Sequence, residues 1–86
     1  MNILKRVAVI SAILDQPDLA QAQFNSVLST FKGIVKGRMG IPLLDEDVAV
    51  ISVVVIGDMD EINSLTGKLG NIEHVTVKTS ISKKEI

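Results

Sequence analysis

The 86-residue sequence has no cysteine, tryptophan or tyrosine, and its only aromatic residues are two phenylalanines. Histidine occurs once, as His74. Each shortage removes a class of chemistry. Without cysteine there is no disulfide, no thiolate metal site and no cysteine nucleophile. One imidazole without a thiolate makes a poor transition-metal site, and no Ser-His-Asp arrangement can be drawn around it. Sheets that read RNA stack bases on strand aromatics, whereas Phe24 and Phe31 both fall in a helical pattern. An excess of positive charge is missing too. Nine basic and ten acidic side chains leave a formal net charge of −1, without the basic stripe that holds a phosphate backbone. The residues therefore point away from nucleic-acid binding, metal, cofactor and catalysis.

Long apolar runs are also absent, and no stretch approaches the length of a membrane span. Lys5 and Arg6 ahead of the apolar run at 7–14 imitate the start of a signal peptide. However, Asp15 and Asp18 follow, and no small-x-small cleavage site is suitably placed. A first strand fits the run better, and the chain is expected in the cytoplasm.

What is there reads as one soluble domain over 1–86, with residues 1–5 and 81–86 loosely held. Strand one covers 7–14. Pro17 suits a first helical position, and Ala20, Phe24, Val27, Leu28 and Phe31 then recur as one helical stripe, with Gly33 as its C-terminal cap. A second strand over 34–41 is interrupted by Gly37 and Gly40 and ended by Pro42. Asp45, Glu46 and Asp47 make a solvated turn into the third strand, VAVISVVVIG at 48–57. Asp58 and Glu61 have capping-box spacing ahead of a second stripe, Ile62, Leu65 and Leu69, ended by Gly70. A last strand alternates Val75, Val77 and Thr79 with Thr76 and Lys78.

The order β-α-β-β-α-β is that of the ferredoxin-like α+β sandwich, an antiparallel four-stranded sheet with both helices on one face. Strands one and three are then central, which matches their continuous apolar composition. The second face has nothing to cover it. A face of roughly 320 Å² in projection follows from four short strands about 4.8 Å apart, and monomers rarely leave an apolar patch of that order bare. Another copy of the chain is the simplest cover. Period two divides the central side chains into two sets. Hydroxyls are better tolerated at an interface that traps water than beneath helices. The Ser-bearing set, Val7, Val9, Ser11 and Ile13 with Val50, Ser52 and Val54, is therefore assigned to the subunit contact.

Among polar candidates, His74 reads as a surface residue and the 45–47 acids lack the spacing of a calcium loop. Gly67-Lys68 imitates a phosphate loop, but Leu69 stands where a hydroxyl should bind magnesium and the pair lies at the wrong helix end. Close packing or an early helix end is the plainer account of Gly67. Arg38, between Gly37 and Gly40, is either an exposed edge charge or a clamp for an anionic effector. Arg38, Gly40, Gly67 and Lys68 are the four candidate ligand residues, since missing side chains beside a cation allow a carboxylate or phosphate to approach.

The segment Arg38-Met39-Gly40-Ile41-Pro42, the acidic turn and strand after it, and LTGKLGNIEHVTVKT at 65–79 closely resemble the iron-only hydrogenase system regulator family. The resemblance extends from strand one to Thr79. Its most specific part is Thr66 to Gly70 followed by Val75 to Lys78. It implies an ACT-like fold, similar to the ligand-binding domain of nickel-responsive repressors, and a regulatory role linked to the hydrogenase system. The His and Cys ligands and the DNA-binding segment of those repressors are not matched, so nickel sensing is not carried over and transcriptional control would need a partner. The resulting expectation is an oligomeric regulatory domain with a small anionic effector. The alternatives are a non-catalytic protein–protein interaction scaffold and, third, a small enzyme using carboxylates at a subunit interface.

Overall fold

The computed structural model describes residues 4–86, so residues 1–3 of the expected loose N-terminus lie outside the described residues. Two runs of β-branched and small residues form the longest strands, β1 (Arg6–Asp15) and β3 (Val48–Gly57), paired antiparallel from Arg6↔Gly57 to Asp15↔Val48. Between them lie helix α1 (Pro17–Ser29) and strand β2 (Val35–Leu43); after them come helix α2 (Met59–Gly70) and strand β4 (Val75–Ile81). The sheet order is β2-β3-β1-β4, all neighbours antiparallel, which is the ferredoxin-like βαββαβ arrangement.

Ala8, Ile10, Ala12 and Leu14 of β1, with Ala49, Ile51, Val53 and Val55 of β3, are buried beneath the helices. They meet Ala20, Phe24 and Leu28 from α1 and Ile62, Leu65 and Leu69 from α2, each set at helical spacing. α2 starts as the sequence requires. Asp58 accepts a hydrogen bond from Glu61 N at 2.8 Å, and Glu61 Oε1 accepts one from Asp58 N at 3.0 Å. Thr66 and Thr79 hydroxyls, 2.8 Å apart, tie α2 to β4 where the interface is otherwise apolar.

Two local expectations are corrected, and the chain end shows contacts of its own. Gly33 does not cap α1, which ends at Ser29. Ser29 and Thr30 hydroxyls donate to the carbonyls of Ser26 and Val27, each at 2.7 Å, and satisfy the open end of the helix one turn earlier. Pro42 does not end β2 but lies within it, because β2 is an edge strand and an outward position needs no N–H. Residues beyond β4 are tied to the start of β1: Ser82 N donates to Val7 O (2.9 Å) and Ile86 N to Lys5 O (2.8 Å). Glycine also does no left-handed work. No glycine has positive φ, whereas Gln16, Asp47 and His74 do, at 55°, 52° and 72°. These three sit at one end of the sheet, where Asp15 N donates to His74 O (2.8 Å) and Gln16 N to Asp47 O (3.1 Å).

Candidate functional site: an open sheet face and a cleft beside Arg38

Side-chain parity puts Val7, Val9, Ser11 and Ile13 of β1, and Val50, Ser52 and Val54 of β3, on the face away from the helices. The register builds this face in rows. One runs Ile41–Val50–Ile13–Thr76, the next Met39–Ser52–Ser11–Lys78, and the next Gly37–Val54–Val9–Ser80. The serines are therefore direct cross-strand partners in the middle of the face. The rows also show a gradient, apolar on β2 and polar on β4. Met39, Ile41 and Leu43 are 66%, 53% and 42% exposed, far more than an apolar side chain facing a core. Sequence reasoning misses these three. Their i, i+2, i+4 spacing is a strand signal, but Gly40 and Pro42 alternate with them and disguise it.

On the helix side β2 presents Arg38, Gly40 and Pro42, opposite Val53, Ile51 and Ala49. Two of these three β2 residues lack a long side chain, so α1 does not close against the edge strand. A cleft of about 160 Å³ remains, floored by Ala49 and Ile51, walled by Gly40, Ile41 and Pro42, and overhung by Gln21 of α1. A Cβ on Gly40 would meet only Ile51 Cγ1, at 3.9 Å, so space here is a consequence of the missing side chain rather than of backbone strain. Arg38 stands at the mouth. Its Nη1 donates to Asn25 Oδ1 at 2.8 Å, and its guanidinium carbon lies 5.9 Å from the centroid of the buried Phe24 ring. Among the described residues no carboxylate pairs with it; the nearest approach of a basic and an acidic side chain is His74 Nε2 to Glu73 Oε1, 3.8 Å.

The structure thus brings Arg38 and Gly40 together and leaves Gly67 and Lys68 outside that cleft. Lys68 lies in the last turn of α2, where a cation suits the helix dipole, with Nζ 5.2 Å from the Phe31 centroid. The packing account of Gly67 is corrected: nothing lies within 4 Å of where its Cβ would be, and α2 continues past it. Close approach belongs instead to Gly70, whose Cβ would come 3.2 Å from Val77 Cγ2. Asp45 and Glu46 occupy an exposed 3-10 turn (Leu44–Glu46), and among the described residues no three His, Asp or Glu side chains gather as a metal cluster. No helix among the described residues is long and apolar enough to cross a membrane.

Comparison with known proteins adds two findings. The TM1266-like family, whose description reads "Iron-only hydrogenase system regulator, putative", matches residues 6–79, the span from strand one to Thr79 on which the sequence resemblance rests. Among solved structures, that of the uncharacterized protein TM1266 from Thermotoga maritima is similar at a TM-score of 0.87 and 35% identity, over 92% of this chain and 99% of that one. No curated protein matches the chain.

Proposed function

The chain belongs to the TM1266-like family of iron-only hydrogenase system regulators, and from that premise we propose that it is a non-catalytic regulatory module that works as a self-associated unit and responds to a small anionic effector. The observation that carries the proposal is the unpartnered sheet face. Strands of 10, 9, 10 and 7 residues make it roughly 570 Å² in projection, at about 3.3 Å per residue and 4.8 Å between strands. Two copies stacked on it bury about 1,100 Å², just above the roughly 1,000 Å² that a specific interface needs. A second copy is the occupant that meets this face with matching chemistry, because a two-fold axis near Ser11 and Ser52 sets hydroxyls against hydroxyls and flanks them with Val50, Ile13 and Val54.

The regulatory part of the reading rests on the family description and on Arg38, a cation with no carboxylate partner among the described residues, at the mouth of a cleft. With a net charge of −1, the chain has little attraction for a phosphate backbone, so control of transcription would pass through a protein partner. Light scattering on the purified chain tests the core of the proposal. A species of at least twice 9.2 kDa is expected, and a strictly monomeric chain at high concentration would remove it.

A further inference from the structure

Deepening the effector reading above, and resting on it, we propose that the cleft between α1 and the edge strand β2 binds a short-chain aliphatic monocarboxylate, with its carboxylate on Arg38 and its hydrocarbon tail over Gly40 against Ala49 and Ile51.

Four observations define that class. First, Arg38 is an anion receptor already held in place. One donor is spent on Asn25 at 2.8 Å and the guanidinium rests over Phe24, while the other donors have no carboxylate among the described residues. A planar fork with parallel free N–H groups matches a carboxylate in two hydrogen bonds. Second, the cleft measures about 160 Å³, close to the roughly 150 Å³ cavity that accommodates one benzene ring. About six non-hydrogen atoms fit within it, the size of butyrate. Third, the floor is hydrocarbon. A second carboxylate would have to sit on Ala49 and Ile51, where a charge loses its water without a partner. Fourth, among the described residues the polar side chains lining the cleft are Arg38 and Gln21. An amino acid's ammonium group would find no carboxylate to pair with, so the unsubstituted acid is favoured over the α-amino acid.

Gly40 lines the cleft and has room for a side chain, which makes the inference testable with little risk to the fold. The full chain, ¹⁵N-labelled, is titrated with sodium butyrate at constant ionic strength and followed by amide shifts. Saturable shifts are expected at Arg38–Ile41, at Ala49–Ile51 and on the facing turn of α1. Succinate, butanol, valine and inorganic phosphate should each bind at least tenfold more weakly. Gly40→Val fills the cleft, because the new side chain starts in ordinary contact with Ile51; it should stay folded and lose butyrate binding. Arg38→Gln should weaken binding at least tenfold, with Arg38→Lys in between. Unsaturable shifts, equal affinity for phosphate, or an unchanged affinity in Gly40→Val would each overturn the proposal. Light scattering on the same samples separates this from the broader reading. An assembled chain that ignores butyrate refutes only the ligand class, whereas a monomer that binds butyrate keeps the cleft and refutes the self-association.

Discussion

Val53 and Val54 are neighbours in β3 with opposite fates, and replacing each by Asp gives the sharpest test of which face does what. Val53 is fully buried under the helices and Val54 is 38% exposed on the open face. Val53→Asp forfeits roughly 2 kcal/mol of apolar burial and adds several kcal/mol for a carboxylate taken out of water. A domain of 86 residues has about 4–13 kcal/mol of stability in all. The variant should therefore be unfolded or close to it. Val54→Asp costs the isolated subunit little, since its side chain already meets water. In a face-to-face dimer the same change appears twice through the two-fold axis. Even about 2 kcal/mol per copy amounts to roughly 4 kcal/mol, which weakens association about a thousandfold. Analytical ultracentrifugation with far-UV circular dichroism reads both effects. The expected pair is an unfolded Val53→Asp and a folded, dissociated Val54→Asp. If Val54→Asp assembled as the parent does, the open face would not be the contact, however well the helix-side core behaved.

Gly67→Ala should raise stability by about 1 kcal/mol in urea denaturation, because the position is inside α2 and empty space surrounds the missing Cβ. The hydroxyl pair Thr66–Thr79 should show coupling in a double-mutant cycle. Each single Thr→Val change costs about 1–2 kcal/mol by stranding its partner, whereas the double change costs distinctly less than their sum. Asp58→Ala should lose about 1 kcal/mol through the capping box, read as a lower melting temperature; an unchanged value would mean that α2 is held by packing alone. With a single imidazole and no thiolate, the untagged chain should show no sub-micromolar nickel or zinc binding by calorimetry. A tight isotherm lost in His74→Ala would overturn that.

The architecture is legible in the sequence because its strongest signals are global ones. β1 and β3 are the continuous apolar strands, and they take the two central positions of the sheet with one face beneath the helices. The two corrected boundaries are local signals taken alone. Gly33 has the look of a cap, but Ser29 and Thr30 supply the bonds a cap would make. Pro42 has the look of a terminator, but β2 is an edge strand, where a missing donor is harmless. The left-handed positions fall to Gln16, Asp47 and His74; Asp and His enter that region more readily than most side chains, but Gln does not. Contacts between loops that only the fold brings together hold them there.

The two parts of the candidate site are legible to different degrees for a physical reason. A sheet face is set by period-two parity, so Val7, Val9, Ser11, Ile13, Val50, Ser52 and Val54 group together from their spacing in the chain alone. Parity also governs Met39, Ile41 and Leu43, and these are hidden only by the glycine and proline between them. The cleft is of another kind. Arg38 and Gly40 are visible in sequence as a cation beside a gap, but the gap matters only if something leaves it unfilled. That depends on α1, whose Asn25 lies 13 positions before Arg38 and reaches it across the sheet edge. A distant neighbour also marks the place of Lys68, which lies outside the cleft that Arg38 lines. Its helix end is legible in the sequence through Gly70, whereas the Phe31 ring 5.2 Å from its ammonium is brought there only by the fold.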